Sequence, residues 1–320
     1  MKNKLYLGEK QVSLTENMVF ITGSPRSGTT LVGKYIGSLQ NIEYHYEPSL
    51  LYMITSMVVA EALDPQAAKD ILRLYLFEDF LVESVHGRKV NLRSQDDSCI
   101  LNTMTWKELN RRWRDIRNRY DAMKEIESRG LRLAVKMPSI INAIDFLTNT
   151  FNKSIIIILL RDGRPVVNSI LQKGWMTEES LAREFWPYKI SSFDGKRIPY
   201  FLQDHEAEAW STMNEETRAC MAWRKDAEEI LRVRNCIQRY PNAIFIRYED
   251  ILMDPRKELT LLSDRLGHPF TALTDTLIQD TKPPKSMREQ ETKDAFLKEV
   301  NTVEKERFLK INQELGYSLE

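Results

Sequence analysis

The chain has 320 residues, 42% of them apolar and 29% charged, which excludes collagen-like, disordered and disulfide-scaffold classes and leaves ample apolar mass for a core. Lys plus Arg and Asp plus Glu both number 46, so no global field draws nucleic acid or an anionic membrane, and a polyanion site has to come from local clustering. Cys99, Cys220 and Cys236 fit no CxxC or Cys/His metal spacing and read as reduced structural thiols.

The first twenty residues hold no apolar run long enough for a signal peptide, and no later run reaches the length of a membrane span, so a cytoplasmic protein is expected. Val19–Gly23 is the first of four short runs with the composition of fully buried parallel strands; Leu131–Met137, Ser154–Leu160 and Ala243–Tyr248 are the others. After the first strand comes a small, polar loop, Gly23-Ser-Pro-Arg-Ser-Gly28. Thr29 and Thr30 then open an amphipathic helix predicted through Leu39. Asn41–Ser49 reads as an extended piece that points Glu43, His45 and Glu47 to one side.

In 104–127, Trp106, Leu109, Trp113, Ile116, Tyr120 and Met123 recur at spacings of three and four and predict one helix with an apolar core face. Lys107, Arg111, Arg114 and Asn118 fall opposite, on a solvated side or one that an anionic acceptor uses. The run Ser154–Leu160 ends in Arg161, with Asp162 and Gly163 as cap and turn and Pro165 in the first helical turn. Ser169 follows Arg161 by eight residues, about two turns into that helix. Residues 174–210 carry Trp175, Phe185, Trp186, Tyr188, Phe193, Tyr200, Phe201 and Trp210 without a clean period; a lid or acceptor wall and a packed insertion are equal readings. Pro241, Pro255, Pro269 and Pro283–Pro284 mark element boundaries, not a linker, so one α/β domain with a parallel central sheet flanked by helices is expected over 1–320. Sites in such sheets lie beyond the C-terminal ends of the strands.

The loop at 23–30 aims backbone N–H groups at one point beside a helix N-terminus, where a phosphate-like group belongs. A nucleoside triphosphate loop, GxxxxGK[ST], needs Lys after the second Gly; here that position is Thr29, and the cation is Arg26 inside the loop. A kinase therefore lacks the residue that does most of its electrostatic work.

Arg26-Ser-Gly-Thr-Thr30 resembles the 5′-phosphosulfate loop of sulfotransferases that use 3′-phosphoadenosine 5′-phosphosulfate (PAPS), and Arg161 with Ser169 resembles the family's 3′-phosphate element. The resemblance runs in pieces over residues 18–317, including Ala243–Pro255, Leu266-Gly-His268, Trp223 and Leu315-Gly-Tyr317, where packing is the expected role. It implies the P-loop NTPase-like sulfotransferase fold and a donor site formed by Arg26, Ser27, Gly28, Thr29, Thr30, Arg161 and Ser169. The product is 3′-phosphoadenosine 5′-phosphate (PAP), and the partner is a small-molecule or glycan acceptor.

In the branch with carbohydrate and tyrosyl-protein sulfotransferases, a Glu followed by Pro serves as base, and Glu47-Pro48 matches it. The phenol and steroid branch has a His shortly after the strand Lys; here Lys136-Met-Pro-Ser139 has none. His45, with an ordinary pKa suited to base work, is the alternative. Lys136, ending an apolar strand, and Arg26 are assigned to charge on the phosphate–sulfate bridge. No metal-ligand cluster is seen, and these cations are expected to serve without a metal. Lys285 and Arg288 match the family weakly and stay outside the expected site.

Overall fold

Five strands run parallel in one sheet in the computed structural model, which describes residues 7–182, 190–282 and 294–318. They are β1 (Val19–Gly23), β2 (Ile42–Tyr46), β3 (Arg132–Lys136), β4 (Ile155–Leu160) and β7 (Ala243–Arg247), in the order β2-β3-β1-β4-β7. Between β4 and β7 in sequence, β5 (Ile190–Phe193) and β6 (Lys196–Pro199) pair as a separate antiparallel hairpin. Val19 lies opposite Ala134 on one side and Ile155 on the other, which fixes the register of the three central strands.

Every residue of β1 and β3 is buried, as a parallel sheet covered on both faces requires. Alternation along the strands sends Phe20, Leu133, Val135, Ile156 and Ile158 into one core and Val19, Ile21, Ala134, Ile157 and Leu159 into the other. Helices Gly163–Gln172, Glu215–Asn235 and Thr302–Glu314 cover the first face with Val166, Trp223 and Phe308. Helices Thr29–Ser38 and Pro255–Leu266 cover the second with Val32, Ile36, Leu259 and Leu262. The α/β class read from the sequence is the one observed, and no helix among the described residues is long and apolar enough to cross a membrane.

Two local expectations are corrected. The helix predicted over 104–127 is two helices, Trp106–Asp115 and Arg119–Arg129. Ile116 is extended, and Asn118 caps the second helix by accepting from the N–H groups of Tyr120 and Asp121. The stripe is not one core face: Leu109 and Ile116 are buried, but Trp106 and Trp113 of the first helix and Tyr120 of the second are 51%, 42% and 79% exposed. The second correction is in β2, where Glu47 does not continue the strand. Its φ of +43° turns it away from the side that Glu43 and His45 share.

The aromatic segment forms the hairpin and the helix Asp204–Thr212, with a small core of Ile198, Ala207, Trp210 and Met221. Phe185, Trp186 and Tyr188 lie outside the described residues, as do Lys285 and Arg288.

Candidate active site

Residues at or just beyond the C-terminal ends of all five parallel strands line one cleft. They include Pro25 and Arg26 after β1, Tyr46 at the end of β2 and Glu47 just after it, Lys136 of β3, Arg161 after β4 and Tyr248 after β7. Thr29, Thr30 and Lys34 of the following helix complete one wall.

The loop after β1 is built to leave N–H groups free. Ser27 N–H bonds to the Ser24 carbonyl, closing a turn, and the first helical bond runs from Val32 N–H to the Gly28 carbonyl. The N–H groups of Thr29, Thr30 and Leu31 thus precede the helical ladder, and no side chain caps them. They face the cleft with the positive end of the helix dipole. Gly28 is required for two reasons: its φ is +97°, and a Cβ there would stand 2.2 Å from the Tyr248 ring.

Lys136 is 2% exposed, and its ammonium lies 2.5 Å from Glu47 Oε1 and 4.2 Å from the centre of the Tyr46 ring. Burial pulls Lys136 below the usual lysine range, Glu47 opposes that, and Arg26 adds to it. Burial, then Glu47, pushes the Tyr46 phenol up to about 12, so it stays protonated beside the carboxylate. Glu47 N–H donates to the Lys136 carbonyl at 2.9 Å, which ties the turn after β2 to the end of β3.

Arg161 donates to the Arg26 carbonyl at 2.6 Å, and its guanidinium lies 4.3 Å from the centre of the Tyr248 ring. Arg26 in turn donates from Nε to Ser169 Oγ at 2.9 Å. One chain of contacts therefore joins the loop, the end of β4 and the helix Gly163–Gln172, with Asp162 capping that helix at Arg164 N–H. Arg26, Glu47 and Ser139, all non-glycine, have positive φ near this rim. Each such conformation costs on the order of 1–3 kcal/mol, and strain of this kind collects where a side chain must be aimed.

Of the sequence-predicted residues, Arg26, Gly28, Thr29, Thr30, Glu47, Lys136 and Arg161 line the cleft, and Ser169 touches it through Arg26. Ser27 is buried beneath the loop, its hydroxyl without a partner among the described residues. His45 is not brought to the cleft. It packs against Phe80, 4.3 Å between ring centres, with Glu43 at 4.0 Å, and burial lowers its pKa to about 4. Glu43 is itself buried and held by Arg112 Nη1 and Ser84 Oγ, each at 2.8 Å.

Sequence reasoning missed Tyr46 and Tyr248, which line the cleft, and the Lys34–Asp97 pair at 2.8 Å on its wall; Trp175, from the stretch read as either a lid or a packed insertion, lines it as well. Tyr46 and Tyr248 each sit just after or at the end of a strand, a position that could have flagged them. Asp97 comes from an irregular stretch with no periodic signal. Among the described residues, no group of three or more His, Cys, Asp or Glu is arranged to hold a metal ion.

A model of the sulfotransferase family matches residues 18–272. Among solved structures, the chain is similar to the sulfotransferase domain from the Synechococcus PCC 7002 olefin synthase, at 17% identity and a TM-score of 0.49, with 95% of this chain and 96% of that one covered. It is also similar to the sulfotransferase domain from the curacin biosynthetic pathway, at 16% identity and a TM-score of 0.47, with coverage of 95% and 99%. Sulfotransferase STF9 from Mycobacterium avium is 16% identical with a TM-score of 0.48, covering 98% of this chain and 80% of that one. No curated protein sequence matches the chain. The family match takes in the phosphate loop, the Glu47 turn, Lys136 and the Arg161–Ser169 element together, and the chain belongs to the sulfotransferase family.

Proposed function

We propose that the protein moves a sulfuryl group from PAPS to a hydroxyl of a carbohydrate, lipid-linked or natural-product acceptor, releasing PAP. The observation that carries this reading is the cleft itself: uncapped N–H groups, the cations Arg26, Lys136 and Arg161 and the Glu47 carboxyl group meet at the strand ends, while Lys34 and Asp97 on the same wall pair with each other. Such a cradle suits a dianionic phosphate–sulfate group and a base beside it.

The N–H groups at Thr29–Leu31 and the Thr29 and Thr30 hydroxyls hold the 5′-phosphosulfate, and Arg161 with Ser169 holds the 3′-phosphate. Glu47 accepts the proton of the acceptor hydroxyl. The acceptor oxygen forms a new S–O bond as the S–O bond to the bridging oxygen breaks, and the electron pair stays on the 5′-phosphate of PAP. Lys136 and Arg26 neutralise that charge. Lys136 and Glu47 face each other as a close pair before substrates arrive. Neighbouring phosphate contacts give the ammonium a second anion, freeing Glu47 to take the proton.

The test is a calorimetric titration with PAP beside 5′-AMP, ADP and ATP, with and without Mg²⁺. Tight binding of PAP that ignores Mg²⁺ is expected. Preference for ATP with Mg²⁺ would make the protein a divergent kinase despite Thr29.

A further inference from the structure

A second chamber opens beside the cleft, with about 880 Å³ of space counting its mouth. Pro25 and Trp175 line both chambers, so they form the partition between them. The wall of the second is apolar: Ile170, Met176, Leu181, Phe201 and Trp223 supply most of it, from three separate stretches of chain.

Its polar side chains are few, and most are engaged. Tyr52 donates to the Pro138 carbonyl. Ser139 donates to Asp226 Oδ2 at 2.9 Å, and the other Asp226 oxygen accepts from Asn142 at 2.9 Å. Tyr200 and Ser180 are the remaining ones on the wall. A sugar buried here would strip water from several hydroxyls and find partners for one or two. Each hydroxyl left unpaired weakens binding about ten-fold or more. A flat, apolar molecule loses nothing by the same desolvation.

We propose that the acceptor is a small, uncharged, largely apolar alcohol or phenol. Its ring or hydrocarbon body fills the second chamber, and its hydroxyl passes between Pro25 and Trp175 toward Glu47. The proposal rests on the sulfuryl-transfer reading for its chemistry, but the preference of the chamber stands on the wall alone. Of the three acceptor classes, it selects the apolar ones and sets the carbohydrates aside.

The experiment uses 2-naphthol and methyl β-glucoside as probes, titrated into the full chain with and without PAP, and repeated for Ala222→Phe. Ala222 lies on the chamber wall and does not line the donor cleft. Saturable binding of 2-naphthol, none of the glucoside, and at least about a ten-fold loss of naphthol affinity in Ala222→Phe are expected, with PAP affinity within about two-fold. Retained PAP binding shows that the variant is folded; should it not fold, Ala222→Val gives a smaller loss in the same direction. Glucoside binding without naphthol binding overturns the proposal, as does naphthol affinity that ignores both substitutions. If naphthol binds and the substitutions block it while PAP does not bind, the donor reading falls and the apolar chamber stands. If all bind as expected, labelled PAPS should give naphthyl sulfate.

Discussion

Glu47 is the base in the proposed mechanism, and its backbone shows why it sits where it does. A residue before proline with φ of +43° is strained, and nothing in the strand pattern calls for it. The turn swings the carboxylate off the buried side of β2 and onto Lys136. Glu47→Gln keeps the size of the side chain and removes the base. Turnover measured as acceptor-dependent PAP release should fall by about 10²–10⁴-fold, while PAP affinity stays within a few-fold. Unchanged turnover would remove Glu47 as the base. In the same proposal Arg161 acts on the donor alone. Arg161→Ala should weaken PAP by about 2–3 kcal/mol and 5′-AMP by clearly less, although the lost bond to the Arg26 carbonyl touches both. Equal losses by calorimetry would refute the 3′-phosphate assignment.

At the scale of the element, β2 shows both how far the pattern carries and where it stops. Alternation correctly puts Glu43 and His45 together, because both belong to the regular strand. It fails two residues later, because a left-handed turn has no signature in a Glu-Pro pair. The helix predicted over 104–127 failed for a related reason: apolar spacing continued through Ile116–Asn118, but the Asn118 cap restarted the helix at a new phase. What β2 does with His45 is structural. The ring packs on Phe80 of the π-helical stretch Leu76–Glu83, and burial outweighs the attraction of Glu43, with Arg112 acting on the same side as burial. The folded pKa of about 4 lies below the unfolded value of 6.5, so the unfolded chain takes the proton first as pH falls. Stability is therefore full above about pH 6.5 and declines toward pH 4. Between pH 7 and 5 this group accounts for about 2 kcal/mol of loss. Urea midpoints at the two pH values should differ less in His45→Gln than in the native chain. An identical pH dependence in both would place the acid sensitivity elsewhere.

Over the whole molecule, equal numbers of opposite charges leave no net field, yet the ends of the parallel strands gather Arg26, Lys136 and Arg161 at one edge. That much was legible, because buried strands and a phosphate loop are written in short contiguous runs, and a parallel sheet brings their ends together. The partition was not legible. Pro25 and Trp175 are separated by 150 positions, and the aromatic stretch that carries Trp175 has no period to say which rings face inward. Trp175 lines both chambers, the apolar one and the charged cleft. A ring in that position should screen the donor's sulfur from water while it guides the acceptor. Trp175→Ala is expected to lower kcat/KM for 2-naphthol about ten-fold or more and to raise PAP release from PAPS without acceptor. The two rates move in opposite directions only if the ring separates the chambers. A fall in both would mean that the donor is held badly, and no change in either would mean that the wall between them lies elsewhere.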